Sequence, residues 1–179
     1  AGAGGHAGTL SPFALVSEIR QFWDGPLILS GSITKGEHIL AARALGADFV
    51  YMGTRFIATK EAPVHQNVKE ALVGASELDT TLIMRPLRNT ERVLKNDAVT
   101  RIQEKEKELG ENIQINDIMD EVAGVYPKIM SEGDMDAGAW SCGMVAGLIH
   151  DIPSCDELVG GMVKEAEEII AKRLATFAA

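Results

Sequence analysis

Two short turns rich in glycine and hydroxyl side chains are the stretches of this chain best suited to bind an anion. The first is Ser30-Gly31-Ser32, the second is Gly53-Thr54, and each follows a short apolar run. Glycine has no Cβ to block close approach, so its backbone N–H can point at an anion, and Ser or Thr adds a hydroxyl donor. The alternative is that Gly31 and Gly53 merely form tight turns. The pairing of two such turns on successive strands favours one shared phosphate site.

His6 is the candidate for acid–base chemistry. It lies between Gly5 and Ala7-Gly8, so little side-chain bulk surrounds it. A histidine in such a loop could face a ligand and act as a base near neutral pH. The alternative is a solvated histidine near a chain end. The sequence opens without Met inside this glycine-rich loop, from which we expect that an N-terminal portion of the protein precedes it.

A strand–helix–strand unit over residues 26–56 must position both turns. Ile39, Ala42 and Leu45 recur at helical spacing between the two apolar runs, and Gly46 suits the end of that helix. Such a unit is of parallel-sheet type, so both turns would lie at the carboxyl ends of strands, where barrels and open sheets bind ligands. The rhythm of helices and strands predicts an α/β fold, either a barrel or a doubly wound sheet.

The remaining elements are predicted from their local patterns. Ser11-Pro12 opens a helix whose apolar side chains, among them Phe13, Phe22 and Trp23, are predicted to be core. The strand–helix rhythm stops at Ser76. The later predictions are a β-prone run over Thr80–Met84, a charged helix over Ala98–Leu109, a helix over Ala137–Ile149 and a capping box, Ser154 to Glu157, that opens the last helix.

The sequence allows two roles for each of four arginines. Arg55 could support a phosphate, or it could pair with a carboxylate such as Glu61. Arg85, Arg88 and Arg92 form the one locally basic stretch, which could attract an anionic cofactor tail or simply be a solvated face.

Composition excludes several classes of function. The formal net charge of −9 and the pI near 4.9 argue against nucleic acid or an anionic membrane as the main partner. Cys142 and Cys155 are the only cysteines, which favours a reducing, cytoplasmic setting and small buried thiols over a disulfide framework. No run approaches the roughly 18 apolar residues of a membrane span. The sequence shows no metal-ligand cluster and no serine or cysteine triad signature.

Four motifs in order carry a family resemblance. They are Gly4-Gly5-His6-Ala7-Gly8, Leu29-Ser30-Gly31-Ser32-Ile33, Ala44-Leu45-Gly46-Ala47-Asp48 and Met52-Gly53-Thr54-Arg55-Phe56. Together they resemble the second half of the nitronate monooxygenase family, also called 2-nitropropane dioxygenases. The resemblance implies the C-terminal part of an FMN-binding TIM (β/α)8 barrel with an appended, mostly helical substrate domain. It implies barrel elements over 1–75, the substrate or lid domain over 76–136, and C-terminal helices that pack back on the barrel over 137–179.

The resemblance also implies a site. Its cofactor-binding residues would be Gly5, Ser30, Gly31, Ser32, Gly53 and Thr54, with no metal. His6 would be the catalytic base beside the flavin. Ser32 departs from the family pattern, which commonly has Gly at this position, and the first strands of the barrel are not in this sequence.

The implied reaction is FMN-dependent oxidation of alkyl nitronates or nitroalkanes by O2 to carbonyl compounds and nitrite. Two alternatives stay open, an FMN-dependent NAD(P)H:quinone reductase on the same scaffold and a non-catalytic half-barrel that binds a phosphate ligand. The expected partners are small molecules, and a homodimer is one of the oligomeric states left open.

Overall fold

One parallel and one antiparallel sheet organise the computed structural model, which describes residues 1–6 and 8–177. The strands are β1 (Gly5–His6), β2 (Ile28–Ser30), β3 (Phe49–Tyr51), β4 (Thr80–Ile83) and β5 (Glu91–Leu94). The α-helices are α1 (Pro12–Ile19), α2 (Gly36–Leu45), α3 (Thr54–Ile57), α4 (Gln66–Gly74), α5 (Asp97–Leu109), α6 (Met119–Val122), α7 (Tyr126–Met130) and α8 (Cys155–Ile169). Short 3-10 turns cover Glu77–Asp79, Gly110–Asn112, Ile115–Ile118, Met144–Leu148 and Ala175–Phe177, and a π-helical segment covers Ile170–Leu174.

The predicted strand–helix–strand unit is confirmed. β2 and β3 pair in parallel, with Ile28 opposite Phe49 and Ser30 opposite Tyr51, and α2 connects them. Helix α2 ends at Gly46, whose φ of 112° is left-handed and favours glycine. Because the two strands run in the same direction, both glycine turns emerge at the same edge of this sheet.

The parallel sheet is covered on one face by the described residues. Leu29 is buried in a cluster with Val16, Ile33, Ala42 and Ala47 from the flanking helices and turns. On the other face, Ile28, Phe49 and Tyr51 are 61%, 61% and 65% exposed. The α/β prediction therefore holds, but residues 1–6 and 8–177 form no closed barrel.

The predicted core role of three aromatic side chains is wrong for the described residues. Phe13, Phe22 and Trp23 are 70%, 79% and 50% exposed. Helix α1 ends at Ile19, so Phe22 and Trp23 lie beyond it in a turn, and Val16 is the only residue of the helix that is fully buried.

The antiparallel sheet has the order β1-β5-β4. The β-prone run is confirmed as β4, whereas sequence patterns missed β5, because Glu91-Arg92-Val93-Leu94 does not alternate polar and apolar residues. Strand β1 adds to this sheet through Gly5 opposite Arg92 and His6 opposite Glu91. The segment 76–136 thus contains strands as well as helices. Its separation from 1–75 and 137–179 as a domain stays a prediction.

The predicted helix over Ala137–Ile149 is wrong. Only Met144–Leu148 is helical, as a 3-10 turn, and Ser141 instead forms an isolated bridge to Val93. The backbone N–H groups of Gly143 and Met144 bond to Thr54 and Gly2, so they are not available to an α-helix here. The capping box is confirmed, since Ser154 and Glu157 bond reciprocally at the start of α8.

No helix within the described ranges combines the length and the apolar character needed to cross a bilayer.

Candidate functional site

The two predicted turns meet in one cavity of about 110 Å³, here called the cradle. It is lined by Ala3, Gly4, Ser30, Gly31, Ser32, Ile33, Tyr51, Met52, Gly53, Thr54, Gly143 and Val145. All five residues predicted on the two turns are therefore in its wall. Among the residues that the structure describes, no carboxylate lines the cradle, so nothing in its wall would repel an anion.

Gly31 and Gly53 differ in whether the fold itself requires glycine at their positions. Gly31 has a φ of 90°, and a Cβ built on it would overlap the Cβ of Ala3, so the fold itself requires glycine there. Gly53 has a φ of −103°, and no heavy atom lies within 4 Å of the Cβ position. Neither conformation nor packing within the described chain demands glycine at position 53. The missing side chain keeps open space in the cradle, which is what close approach of a ligand needs.

Three backbone N–H groups of the cradle are candidate donors to an anion. Within residues 1–6 and 8–177, the backbone N–H groups of Ser32, Gly53 and Thr54 donate to no backbone acceptor outside regular elements. Among the residues that the structure describes, Ser32 is one of three non-glycine residues with positive φ, at 58°. Its hydroxyl donates to the Ala1 carbonyl at 3.2 Å. A serine held in the left-handed region costs conformational energy and often marks a functional position.

His6 lines a second cavity, of about 460 Å³, that adjoins the cradle. Ala3, Gly4 and Ser30 line both cavities, so the two cavities share part of their wall. The larger cavity has an apolar wall that includes Leu10 and Leu15. Gly5, predicted as a cofactor-binding residue, lines neither cavity. It lies in β1 with φ 80°, and its neighbour Gly4 occupies the wall instead.

A chain of side-chain hydrogen bonds ends at Glu91 of β5, the residue paired with His6 of β1. The Tyr126 hydroxyl donates to Ser141 Oγ at 2.8 Å, and Ser141 Oγ donates to Glu91 Oε1 at 2.7 Å. Glu91 is only 9% exposed and lies opposite His6, so the two side chains leave the sheet on the same face. Sequence patterns gave no sign of these hydrogen bonds, because the residues that form them lie far apart along the chain.

Arg55 is turned away from the cradle. Its side chain is 6% exposed and donates to Asp151 Oδ1 at 2.6 Å and to the Asp151 carbonyl at 3.1 Å. Of the two predicted roles, pairing with a carboxylate is therefore confirmed, but the partner is Asp151 and not Glu61. The Glu61 carboxylate instead accepts the Cys155 N–H, a bond that lowers the pKa of Glu61. Of the three arginines in the basic stretch, Arg85 and Arg88 are exposed.

Arg92 is the third arginine of that stretch, and it donates to the Thr80 hydroxyl at 2.9 Å. Partial burial lowers the pKa of its guanidinium.

Neither cysteine forms a disulfide, and Cys142 is not a nucleophile. Its side chain is fully buried, and burial raises the pKa of the thiol to about 12. At neutral pH it is therefore a small apolar side chain, as the sequence predicted.

Sequence reasoning missed the part that residues 141–145 take in the site. Gly143 and Val145 line the cradle from a segment about 90 residues after Gly53, a separation that no local pattern bridges. The only available signal was the abundance of small residues in this stretch, which indicated close packing against a ligand or another element.

Known proteins resemble this chain over most of its length. A family model described as nitronate monooxygenase matches residues 1–165. FabK from Thermotoga maritima is 34% identical and superposes with a TM-score of 0.88 over 97% of this chain and 54% of that protein. A nitroalkane oxidase from Streptomyces ansochromogenes has a TM-score of 0.74 at 24% identity, over 94% of this chain and 50% of its own, which shows a shared fold.

A curated relative gives similar coverage. The (3aS,4S,5R,7aS)-5-hydroxy-7a-methyl-1-oxo-octahydro-1H-indene-4-carboxyl-CoA dehydrogenase of Rhodococcus jostii is 26% identical over 91% of this chain and 56% of its own length. The chain therefore spans about half the length of the relatives that it matches over most of its own length. With a family model that matches nearly the whole chain, the protein belongs to the nitronate monooxygenase family of oxidoreductases.

Proposed function

We propose that this chain provides the FMN-binding and proton-transfer region of an oxidoreductase that converts alkyl nitronates or nitroalkanes and O2 to carbonyl compounds and nitrite. The observation that carries the proposal is the wall that the anion cradle shares with the cavity at His6. Ala3, Gly4 and Ser30 line both, so a ligand with its phosphate in the cradle would lie beside the cavity that holds the imidazole.

The cradle suits the phosphate of FMN. It offers the Thr54 hydroxyl, the backbone N–H groups of Ser32, Gly53 and Thr54, and open space over Gly53, with no carboxylate among its described lining residues. Hydrogen bonds to a charged acceptor are the stronger class, worth about 1.5–3 kcal/mol each. Bound there, FMN would supply a two-electron acceptor for the substrate and a donor for oxygen.

His6 has the position of a base. Its side chain is exposed to the larger cavity, so a small substrate can reach the imidazole. With a neutral nitroalkane, the imidazole would remove the α-proton and the electron pair of that C–H bond would delocalise onto the nitro group, giving the nitronate. The resulting imidazolium would then hold the nitronate electrostatically. Such general-base help contributes about 10²–10⁴-fold in rate.

The fold around the site supports a barrel. In this proposal β2 and β3 are the last two strands of a (β/α)8 barrel. Parallel sheets occur almost only with both faces covered, and the face that carries Ile28, Phe49 and Tyr51 is uncovered by the described residues. Other strands of the barrel would cover this face, and the carboxyl ends of β2 and β3 would open on the catalytic side.

A second candidate is an FMN-dependent reductase that takes its electrons from NAD(P)H, with a quinone or a thioester as the other substrate. The share of this chain that each relative aligns with supports this second candidate. The Rhodococcus dehydrogenase aligns with 91% of this chain, whereas a probable nitronate monooxygenase of Staphylococcus haemolyticus, 34% identical, aligns with 44%. The cradle and His6 would serve both reactions.

Anaerobic mixing separates the candidates. The FMN-loaded protein is mixed in turn with 1-nitropropane, with its preformed nitronate and with NADPH, and bleaching of the flavin is followed. We expect rapid bleaching by the nitronate. His6→Asn should slow bleaching by the neutral nitroalkane about 10²–10⁴-fold and affect the nitronate much less, because the nitronate needs no proton removal.

His150→Asn is the matched control, since His150 is also exposed but lines neither cavity. It should leave all three rates unchanged. Bleaching by NADPH alone would support the second candidate. No bleaching by any donor would refute both and leave a non-catalytic phosphate-binding module.

A further inference from the structure

The hydroxyl of Thr54 is bonded to a distant part of the chain. Gly143 N–H donates to Thr54 Oγ1 at 3.0 Å, and both residues line the cradle. A threonine hydroxyl has one hydrogen to donate and two lone pairs to accept with. Because Gly143 occupies a lone pair on the oxygen, the hydroxyl hydrogen must point elsewhere, and the cradle is the open space beside it.

A side chain at position 143 would crowd this contact. A Cβ built on Gly143 would lie 3.1 Å from Gly4 N, 3.2 Å from the Gly2 carbonyl oxygen and 3.3 Å from Thr54 Oγ1. Its φ of −80° and ψ of 158° are open to any residue. Close approach, rather than backbone conformation, is therefore what favours glycine at this position.

The segment Cys142–Met144 also contacts the N-terminal residues Gly2 and Gly4. Met144 N–H donates to the Gly2 carbonyl at 2.9 Å, and a Cβ on Gly4 would lie 2.6 Å from Gly143 N and 2.7 Å from the Cys142 carbonyl carbon. The segment Cys142–Met144 is thus fixed by backbone contacts, and it can hold the Thr54 side chain in one rotamer.

We propose that Gly143 is a positioning residue for phosphate binding, which turns the Thr54 hydroxyl hydrogen into the cradle by occupying its oxygen. The segment Cys142–Met144 would thereby set the affinity of the cradle for an anion. This inference rests on the proposed FMN site. It concerns the phosphate alone, so it predicts a difference between FMN and riboflavin, which lacks that phosphate.

A double-mutant cycle tests it through binding rather than turnover. Dissociation constants of FMN and of riboflavin are measured by flavin fluorescence for the wild-type protein, Gly143→Ala, Thr54→Val and the double variant. We expect each single change to weaken FMN binding about 10- to 150-fold, the effect of one charge-assisted hydrogen bond. Riboflavin affinity should change little. In the Thr54→Val background, Gly143→Ala should add nothing, because the hydroxyl it positions is gone.

Two further variants keep the test sharp. Thr54→Ser retains a hydroxyl and should keep affinity for FMN, whereas Gly160→Ala, a glycine with no atom within 4 Å of its Cβ position, should change nothing. Equal losses for FMN and riboflavin, or fully additive losses in the double variant, would overturn the inference and leave the FMN site standing. A wild-type protein that binds no FMN would overturn both.

Discussion

Gly53→Val is the sharpest perturbation of the proposed cofactor site. The structure leaves the Cβ position free of any heavy atom within 4 Å, and the backbone φ of −103° is open to all L-residues. The substitution should therefore fold normally. Restricting the unfolded chain could even stabilise the protein, by about 0.4–1 kcal/mol in compatible positions.

The new side chain would fill the space that a phosphate needs. Displacing the phosphate from even one charge-assisted hydrogen bond costs about 1.5–3 kcal/mol, and 1.4 kcal/mol is a factor of ten in Kd. We thus expect FMN to bind about 10- to 150-fold more weakly, with a smaller loss for Gly53→Ala. Titration of flavin fluorescence measures the affinity, and denaturant unfolding of the same preparations measures stability.

Two matched variants make the result interpretable. Gly160→Val places the same side chain at another open position, on α8 and away from the cradle, and should leave FMN affinity unchanged. Gly31→Ala should instead destabilise the protein, because it meets both the left-handed backbone and the Ala3 side chain. FMN affinity within about twofold of wild type for a stably folded Gly53→Val would refute the assignment of the cradle.

Two further changes test separate parts of the reasoning. Ser32→Gly should relieve the left-handed backbone, a gain of about 1–2 kcal/mol offset by about 0.5–1 kcal/mol of glycine entropy. FMN affinity should change little, because the Ser32 hydroxyl already donates to the Ala1 carbonyl and the variant keeps the backbone N–H; a loss of affinity of about tenfold in a fluorescence titration would contradict this. Glu157→Gln should destabilise α8 in a pH-dependent way, since the Ser154 backbone N–H and then Lys60 hold the pKa of Glu157 at about 2, below its ordinary 4.5. The folded-state pKa is the lower one, so this stability is present above pH 4.5 and fades towards pH 2, and a difference from wild type in unfolding experiments that does not shrink over this range would contradict the cause given.

Local sequence determined the elements that present the turns. The period of α2, its end at Gly46 and the two apolar runs predicted the parallel pair, and the Ser154 capping box predicted the start of α8. These features depend on residues within a few positions of one another, where propensity and capping act. The turns and His6 were identifiable as candidates for the same reason.

Tertiary structure decided whether those candidates form a site. Gly31 and Gly53 look alike in sequence, yet contact with Ala3 explains one and open space distinguishes the other. The joining of β1 to β5, which sets His6 opposite Glu91, and the approach of Gly143 to Thr54 are pairings of residues about 85 to 90 positions apart. Pairings of this kind depend on backbone hydrogen bonds and on the absence of a Cβ, properties that a side-chain pattern does not record, and for that reason sequence alone could not supply them.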